Sequence, residues 1–249
     1  MRILISNDDG INSKGLKVLA ERLALNNDVL VVAPSENQSA CSHSLSIHKK
    51  IKLKEYYDIK GCRAYSITGT AADCVKFAKL VFKDFKADIV ISGINKGHNL
   101  GSDILYSGTV SIACEAAFFG NVAFAFSAFS HDDSNFELYS DYAEKIIKKL
   151  LPISTCGDIW NVNFPNELIS DIKGTKITPL GKQLYSDRYE IDENGNYTLV
   201  GSLLDHDQND DDCDIEWIKK GFIAITPLVF NKTNYNKIKE VNERCMTLL

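Results

Sequence analysis

The sequence predicts an α/β protein with a mostly parallel sheet and helices on both faces. Three observations carry that reading. Strand and helix signals alternate through the first half of the chain, the strand segments are continuous apolar runs, and small polar loops follow the strands.

Residues 3–6 (ILIS) open the chain as a buried strand. Leu16, Leu19, Ala20 and Leu23 then recur at helical spacing, and residues 29–33 form a β-branched run stopped by Pro34, which completes one βαβ unit. Cys74, Phe77, Ala78 and Val81 predict a second helix, and residues 88–92 (DIVIS) a second buried strand. Val110, Ala113, Cys114 and Ala117 mark a third helix, residues 122–129 another strand, and Tyr139, Ala143, Ile146, Ile147 and Leu150 a helix ending near Pro152.

The second half reads differently. Short strands are expected at 159–164, 176–180 and 222–227, and the ENGN of residues 193–196, between Tyr189 and Tyr197, resembles a hairpin tip. An elaboration running from about residue 178 to 215 follows. Residues 1–177 are therefore expected to form the α/β core, and 178–249 a C-terminal elaboration of β-hairpin arm, closing strand and terminal helix. In that helix Ile238, Val241, Cys245 and Leu248 lie on one stripe, which must bury against this subunit or a neighbour. Six of the ten residues from Asp205 to Asp214 are aspartate, but no Gly or terminal Glu stands at EF-hand spacing, so a solvated acidic loop tip is expected.

With 249 residues, 45% of them hydrophobic, the chain can bury a substantial core. A net charge of −5 argues against a long polyanion as natural partner. The seven cysteines are scattered and contain no Cys-x-x-Cys pair, which suits core thiols in a reducing cytoplasm. No apolar stretch approaches the roughly 18 to 20 residues of a membrane span, and no secretory leader pattern opens the chain, so a cytoplasmic protein without membrane partners is expected. HExxH, GxxxxGK and GxSxG patterns are missing, which removes the main support for zincin, P-loop and α/β-hydrolase readings.

Chemistry is concentrated in four loops. The first apolar run stops on Asn7, Asp8, Asp9 and Gly10. Neighbouring side chains on a strand point to opposite faces, so two aspartates converge only where the strand has ended and turned. Gly10 permits the turn, and an Asx turn is the alternative reading of the same residues. The second loop (APSENQSACSHS) offers Ser39, Ser42, His43 and Ser44. The third (SGINKGHNLGSD) offers Asn95, Lys96 and Asn99. The fourth (YSGTV) places Ser107, Gly108 and Thr109 at a helix start.

In a parallel sheet these loops emerge at one edge. Asp8, Asp9 and Asn95, with the Ser39 hydroxyl, are hard oxygen donors suited to one Mg²⁺ or Mn²⁺ per subunit. The N–H groups at Ser107, Gly108 and Thr109 suit a phosphate, with Asn99 as a further substrate residue. Each residue also has a local reading, as loop asparagines or ordinary helix caps. Metal and phosphate cradle together mean phosphoryl chemistry, with Asp8, Asp9 and Asn95 as catalytic residues. His43, Lys96 and Tyr106 are set aside.

The motifs NDDG (7–10), APxxxxSxxS (33–42), GTxxDCV (69–75), SGINxGxNxGxDxxYSGTV (92–110), NVNFP (161–165) and ITPL (225–228) together resemble the stationary-phase survival protein SurE family across nearly the whole chain. The resemblance implies a Rossmann-like core and a metal-dependent 5′/3′-nucleotidase that acts on nucleoside monophosphates. It also implies a homodimer or homotetramer formed through the C-terminal part. Its metal ligands fall on Asp8, Asp9, Ser39 and Asn95, and its phosphate loop on Ser107, Gly108 and Thr109. Ala71, Ala116 and Cys213 depart from the family pattern and touch none of these ligands.

Three readings follow: a phosphomonoesterase, in which Asp8 or Asp9 orients the attacking water; a nucleotide-sensing module; and a metal-dependent glycosyltransferase. Phosphate release from simple monoesters separates the first from the others. A phosphoaspartyl route would need carboxylates two apart, where Asn7 stands before Asp8 and Asp9. A single phosphate cradle and acidic net charge favour mononucleotides over nucleic acid polymers.

Overall fold

A computed structural model of the chain describes residues 1–129, 135–166, 172–204 and 210–244. β1 (Arg2–Ser6) leads through the acidic turn into α1 (Lys14–Ala24), whose N-terminus is capped by the Ser13 side chain. β2 (Asp28–Pro34) is followed by a long loop, then β3 (Leu53–Tyr56) and β4 (Arg63–Ile67). α2 (Ala71–Val81) starts with a capping box between Thr70 and Asp73. β5 (Ile89–Lys96), a 3-10 turn at Gly101–Leu105, α3 (Gly108–Phe118) and β6 (Val122–Ala128) follow. α4 (Phe136–Leu150) passes into a second 3-10 turn containing Pro152, and β7 (Ile159–Phe164) and β8 (Thr175–Ile177) come next. The C-terminal part contains β9 (Arg188–Ile191), β10 (Tyr197–Val200), α5 (Asp214–Lys219), β11 (Ile223–Leu228) and α6 (Tyr235–Arg244).

Nine strands form one sheet in the order β3-β4-β2-β1-β5-β6-β7-β11-β8. From β4 to β7 the pairing is parallel, so the carboxyl ends of β1, β2, β5, β6 and β7 lie along one edge. β3 and β11 run antiparallel to β4 and β7. Ile3, Ile5, Val31, Ile91, Phe124, Phe126 and Phe164 line one face with α1 and α4. Leu4, Leu30, Val32, Val90, Ala123 and Ile159 line the other with α2 and α3. Burial on both faces explains the unalternating apolar runs.

The expected hairpin at 193–196 is present as the antiparallel β9–β10 pair. Its arm exposes Tyr189, Ile191, Tyr197 and Leu199. The 177/178 boundary lies within a continuous sheet, because β11 pairs with both β7 and β8. Three elements escaped the sequence reading. β3 and β4 are short and carry Lys54, Glu55 and Arg63, which obscure any apolar run, and α5 is only one and a half turns long. The strand expected at 176–180 shortens to Thr175–Ile177.

The acidic segment needs one correction. Residues 205–209 lie outside the described residues, and Asp210 to Asp212 are exposed, but Asp214 is fully buried. Its carboxylate accepts N–H bonds from Gly101 (2.8 Å), Gly181 (2.7 Å) and Ile215 (2.9 Å), and so ties the Gly101–Leu105 turn to the base of the arm. Burial raises its pKa, against those hydrogen bonds. On α6, Tyr235, Ile238 and Val241 are exposed, while Cys245 and Leu248 lie outside the described residues. No helix among the described residues is long and apolar enough to cross a membrane.

Candidate functional site

At the end of β1 the chain turns sharply. Asn7 donates to Gly10 O (3.0 Å) and to Ser13 Oγ (2.6 Å), and Gly10 adopts φ +100°, which a side chain would strain. Asx-type bonding thus shapes the turn through Asn7, and leaves the carboxylates of Asp8 and Asp9 for other partners.

Asp8 is only 4% exposed and lies against the start of α3. The Thr109 hydroxyl donates to its Oδ1, and the Gly108 and Thr109 N–H groups also favour its ionised form. Desolvation outweighs these bonds and raises the Asp8 pKa above the usual 3.8. Gly108 makes the approach possible: a Cβ there would sit 2.6 Å from Asp8 Cβ and 2.7 Å from its Oδ2. Asp9 is half-buried and accepts the Lys96 N–H at 3.2 Å, which joins the acidic turn to the end of β5.

Asn95 is re-aimed by an irregularity in β5, whose register against β6 shifts between Ser92 and Asn95. Gly93 permits it, since a Cβ there would lie 2.3 Å from Phe126 O. The Asn95 amide donates to Gly97 O at 2.8 Å.

The loop after β2 folds over this edge. The Gln38 N–H donates to Asp8 O (2.7 Å), which places exposed Ser39 next to the acidic turn. Ser42 bonds the carbonyls of Leu105 and Tyr106 just ahead of α3. His43 Nε2 lies 2.8 Å from Glu115 Oε2, and Glu115 also pairs with Lys76 at 2.8 Å. The set-aside His43 is therefore a loop anchor.

At the α3 start, Ser107 Oγ accepts the Val110 N–H at 3.0 Å, while its carbonyl accepts the Ser111 hydroxyl. This geometry is that of a local helix cap, and the Gly108 and Thr109 N–H groups of the phosphate reading face the Asp8 carboxylate. Asn99 is buried in the turn before it, and its side chain donates to Ser127 Oγ at 2.7 Å. Asn161 and Asn163, absent from the predicted site, hold the Asn99 backbone. In the sequence they show only as part of the NVNFP motif, a pair of amides within a strand otherwise built for the core.

The donor set suits a hard divalent cation. Asp8 is a desolvated carboxylate with no ion-pair partner among the described residues, and the Gln38 and Lys96 N–H bonds to Asp8 and Asp9 bring the adjoining Ser39 and Asn95, also oxygen-bearing, to the same turn. No group of three His, Cys, Asp or Glu that could hold a metal occurs among the described residues, so such a site would rest on two carboxylates and neutral oxygens.

Known proteins resemble this chain over nearly its whole length. A family model described as "Survival protein SurE" matches residues 3–187. "5'-nucleotidase SurE" of Caldanaerobacter subterraneus subsp. tengcongensis is 41% identical, over 96% of both chains. The protein of the same name from Clostridium botulinum is 40% identical, over 98% of this chain and 99% of its own. The crystal structure of the SurE protein from Aquifex aeolicus superposes with a TM-score of 0.83 at 34% identity, covering 98% of this chain and 99% of that one.

Proposed function

Because the chain belongs to the survival protein SurE family, we propose that the acidic edge of its sheet hydrolyses nucleoside monophosphates to nucleoside and phosphate. The protein is a hydrolase of the 5′-nucleotidase type, and its substrate is a small nucleotide. The observation that carries the local assignment is the approach of Asp8 to the start of α3, which puts a buried carboxylate against helix N–H donors.

In this reading Asp8, Asp9, Asn95 and Ser39 hold one Mg²⁺ or Mn²⁺ per subunit. When bound, the cation supplies positive charge against the phosphate oxygens and makes a coordinated water more acidic. Asp8, fixed by Thr109, holds its carboxylate without side-chain freedom. Asp9 is the more exposed of the pair and is the carboxylate a water can reach to be oriented for in-line attack. Ser107, Gly108 and Thr109, with Asn99, receive the phosphate, and action at the 5′ or 3′ position belongs to the same proposal.

Residues 178–249 serve assembly into a dimer or tetramer. The support is physical: the arm and α6 expose Tyr189, Tyr197, Leu199, Tyr235 and Ile238 to solvent in the single chain. Cytoplasmic residence is proposed on the six described cysteines, all of them free thiols.

The test is phosphate release from a panel of mononucleotides with Mg²⁺, Mn²⁺ or chelator. Release that needs the cation supports the proposal. Release unaffected by chelator, or faster cleavage of an oligonucleotide than of any mononucleotide, overturns it.

A further inference from the structure

We infer that Asn161 and Asn163 are positioning residues that hold the Asn99 turn in place for the substrate phosphate, an inference that rests on the nucleotidase reading above. β7 lies inside the sheet between β6 and β11, where side chains on both faces are covered and apolar residues are the rule. Asn161 and Asn163 are nonetheless 0% and 1% exposed. A buried amide is costly unless hydrogen-bonded, so the destination of its bonds shows what it is for.

Those bonds converge on one residue. Asn161 Nδ2 donates to Asn99 O at 2.9 Å, and Asn163 Nδ2 donates to the same carbonyl at 3.0 Å. Asn163 Oδ1 accepts the Asn99 N–H at 2.8 Å. One side-chain amide thus pairs with both backbone groups of Asn99, as a neighbouring strand would. The frame extends further. Asn99 Nδ2 donates to Ser127 Oγ, and Ser127 stands in register between Asn95 on β5 and Asn163 on β7. His98 Nε2 lies 2.7 Å from Phe164 O, which fastens the residue before Asn99 to the same strand.

Packing alone does not account for this arrangement. Val162 and Phe164 fill the opposite face with apolar groups, and valine or leucine at 161 and 163 would fill this one. Asn161 Oδ1 is buried with no hydrogen-bond partner among the described residues, so the strand tolerates that oxygen to keep the Nδ2 bond to Asn99. The turn that precedes Ser107 is therefore held by three bonds to its Asn99 backbone, and cannot swing away from the edge without breaking them.

The test compares the parent chain with Asn163→Ala and Asn161→Ala. Affinity for inorganic phosphate is measured by calorimetry in the presence of Mn²⁺, alongside KM and kcat for a nucleoside monophosphate and the melting temperature. Asn163→Ala is expected to weaken phosphate binding and raise KM by about tenfold, with kcat changed by less than about threefold. Asn161→Ala, which keeps the Asn163 pair, is expected to give about a threefold effect on the same two quantities. Folded variants with parental phosphate affinity and KM, and only a lower melting temperature, overturn the inference. Should Asn163→Ala fail to fold, Asn161→Ala and Asn163→Ser decide it by the same readout. A parent that binds phosphate but releases none from any nucleotide overturns the nucleotidase reading, and the affinity comparison still decides the role of the two asparagines. A parent that binds no phosphate overturns the inference.

Discussion

The hydroxyl of Thr109, in the first turn of α3, donates to Oδ1 of Asp8, 101 residues earlier at the end of β1. Strand end and helix start are thereby locked at the sheet edge. The bond fixes one oxygen of a carboxylate that is otherwise desolvated and without an ion-pair partner among the described residues. A carboxylate in that condition is oriented before any ligand arrives.

Thr109→Val keeps the shape of the side chain and removes the donor. Leaving a buried carboxylate oxygen without it should cost about 1–3 kcal/mol of stability. Turnover should fall by roughly 10²-fold, the scale of losing one preorganised contact. Urea unfolding and phosphate release check both values, and a variant equal to the parent in both contradicts the role given to Thr109.

The pH dependence of stability isolates Asp8. Its pKa is higher in the folded chain than its ordinary 3.8, because burial outweighs the bonds from Thr109 and Gly108. The folded state therefore holds that proton more tightly than the unfolded state. This contribution to stability is complete below 3.8 and is lost as pH rises through the folded-state value. Asparagine does not titrate. In chelator, the melting temperature of Asp8→Asn relative to the parent should rise between acid and neutral pH. Adding Mn²⁺ at neutral pH should stabilise the parent more than Asp8→Asn. A difference independent of pH argues against a desolvated Asp8.

Gly108→Ala sets two effects in opposition. Alanine in a helix is favoured over glycine by about 1 kcal/mol. Here its Cβ would meet Asp8 Oδ2 at 2.7 Å, and the overpacking cost of about 1–3 kcal/mol should win. Lower stability and strongly reduced turnover are expected, measured by thermal unfolding and phosphate release. A stabilised, active variant would show that the helix start does not press on Asp8.

The acidic turn was legible because an apolar strand ends abruptly on Asp8, Asp9 and Gly10, a pattern with few structural meanings. The helix at Ser107 was legible from its cap and apolar stripe. The irregularity at Gly93 was not, because it depends on the Phe126 carbonyl in the next strand. Asn161 and Asn163 were read only as part of a family motif, since their partner Asn99 lies 62 and 64 positions away and no local pattern links them. Asp214 was submerged in an acidic run, although it alone among the described aspartates of that run is buried.

Assembly should follow the exposed apolar groups. Tyr189, Tyr197 and Leu199 on the arm, with Tyr235 and Ile238 on α6, are between 46% and 68% exposed in the single chain. Sedimentation at micromolar concentration should therefore give a mass above one 27.7 kDa chain, and deletion of residues 235–249 should shift it towards smaller species. A single-chain mass for the intact protein contradicts the proposed assembly.

The central claim is that Asp8, Asp9, Ser39 and Asn95 close on one cation. Its most direct test is calorimetric titration of Mn²⁺ into the metal-free parent and into folded Asp8→Asn and Asp9→Asn variants. One ion per chain in the parent, with affinity lowered by about tenfold or more in each variant, is the predicted result. Equal Mn²⁺ affinity and stoichiometry in all three proteins would contradict the account.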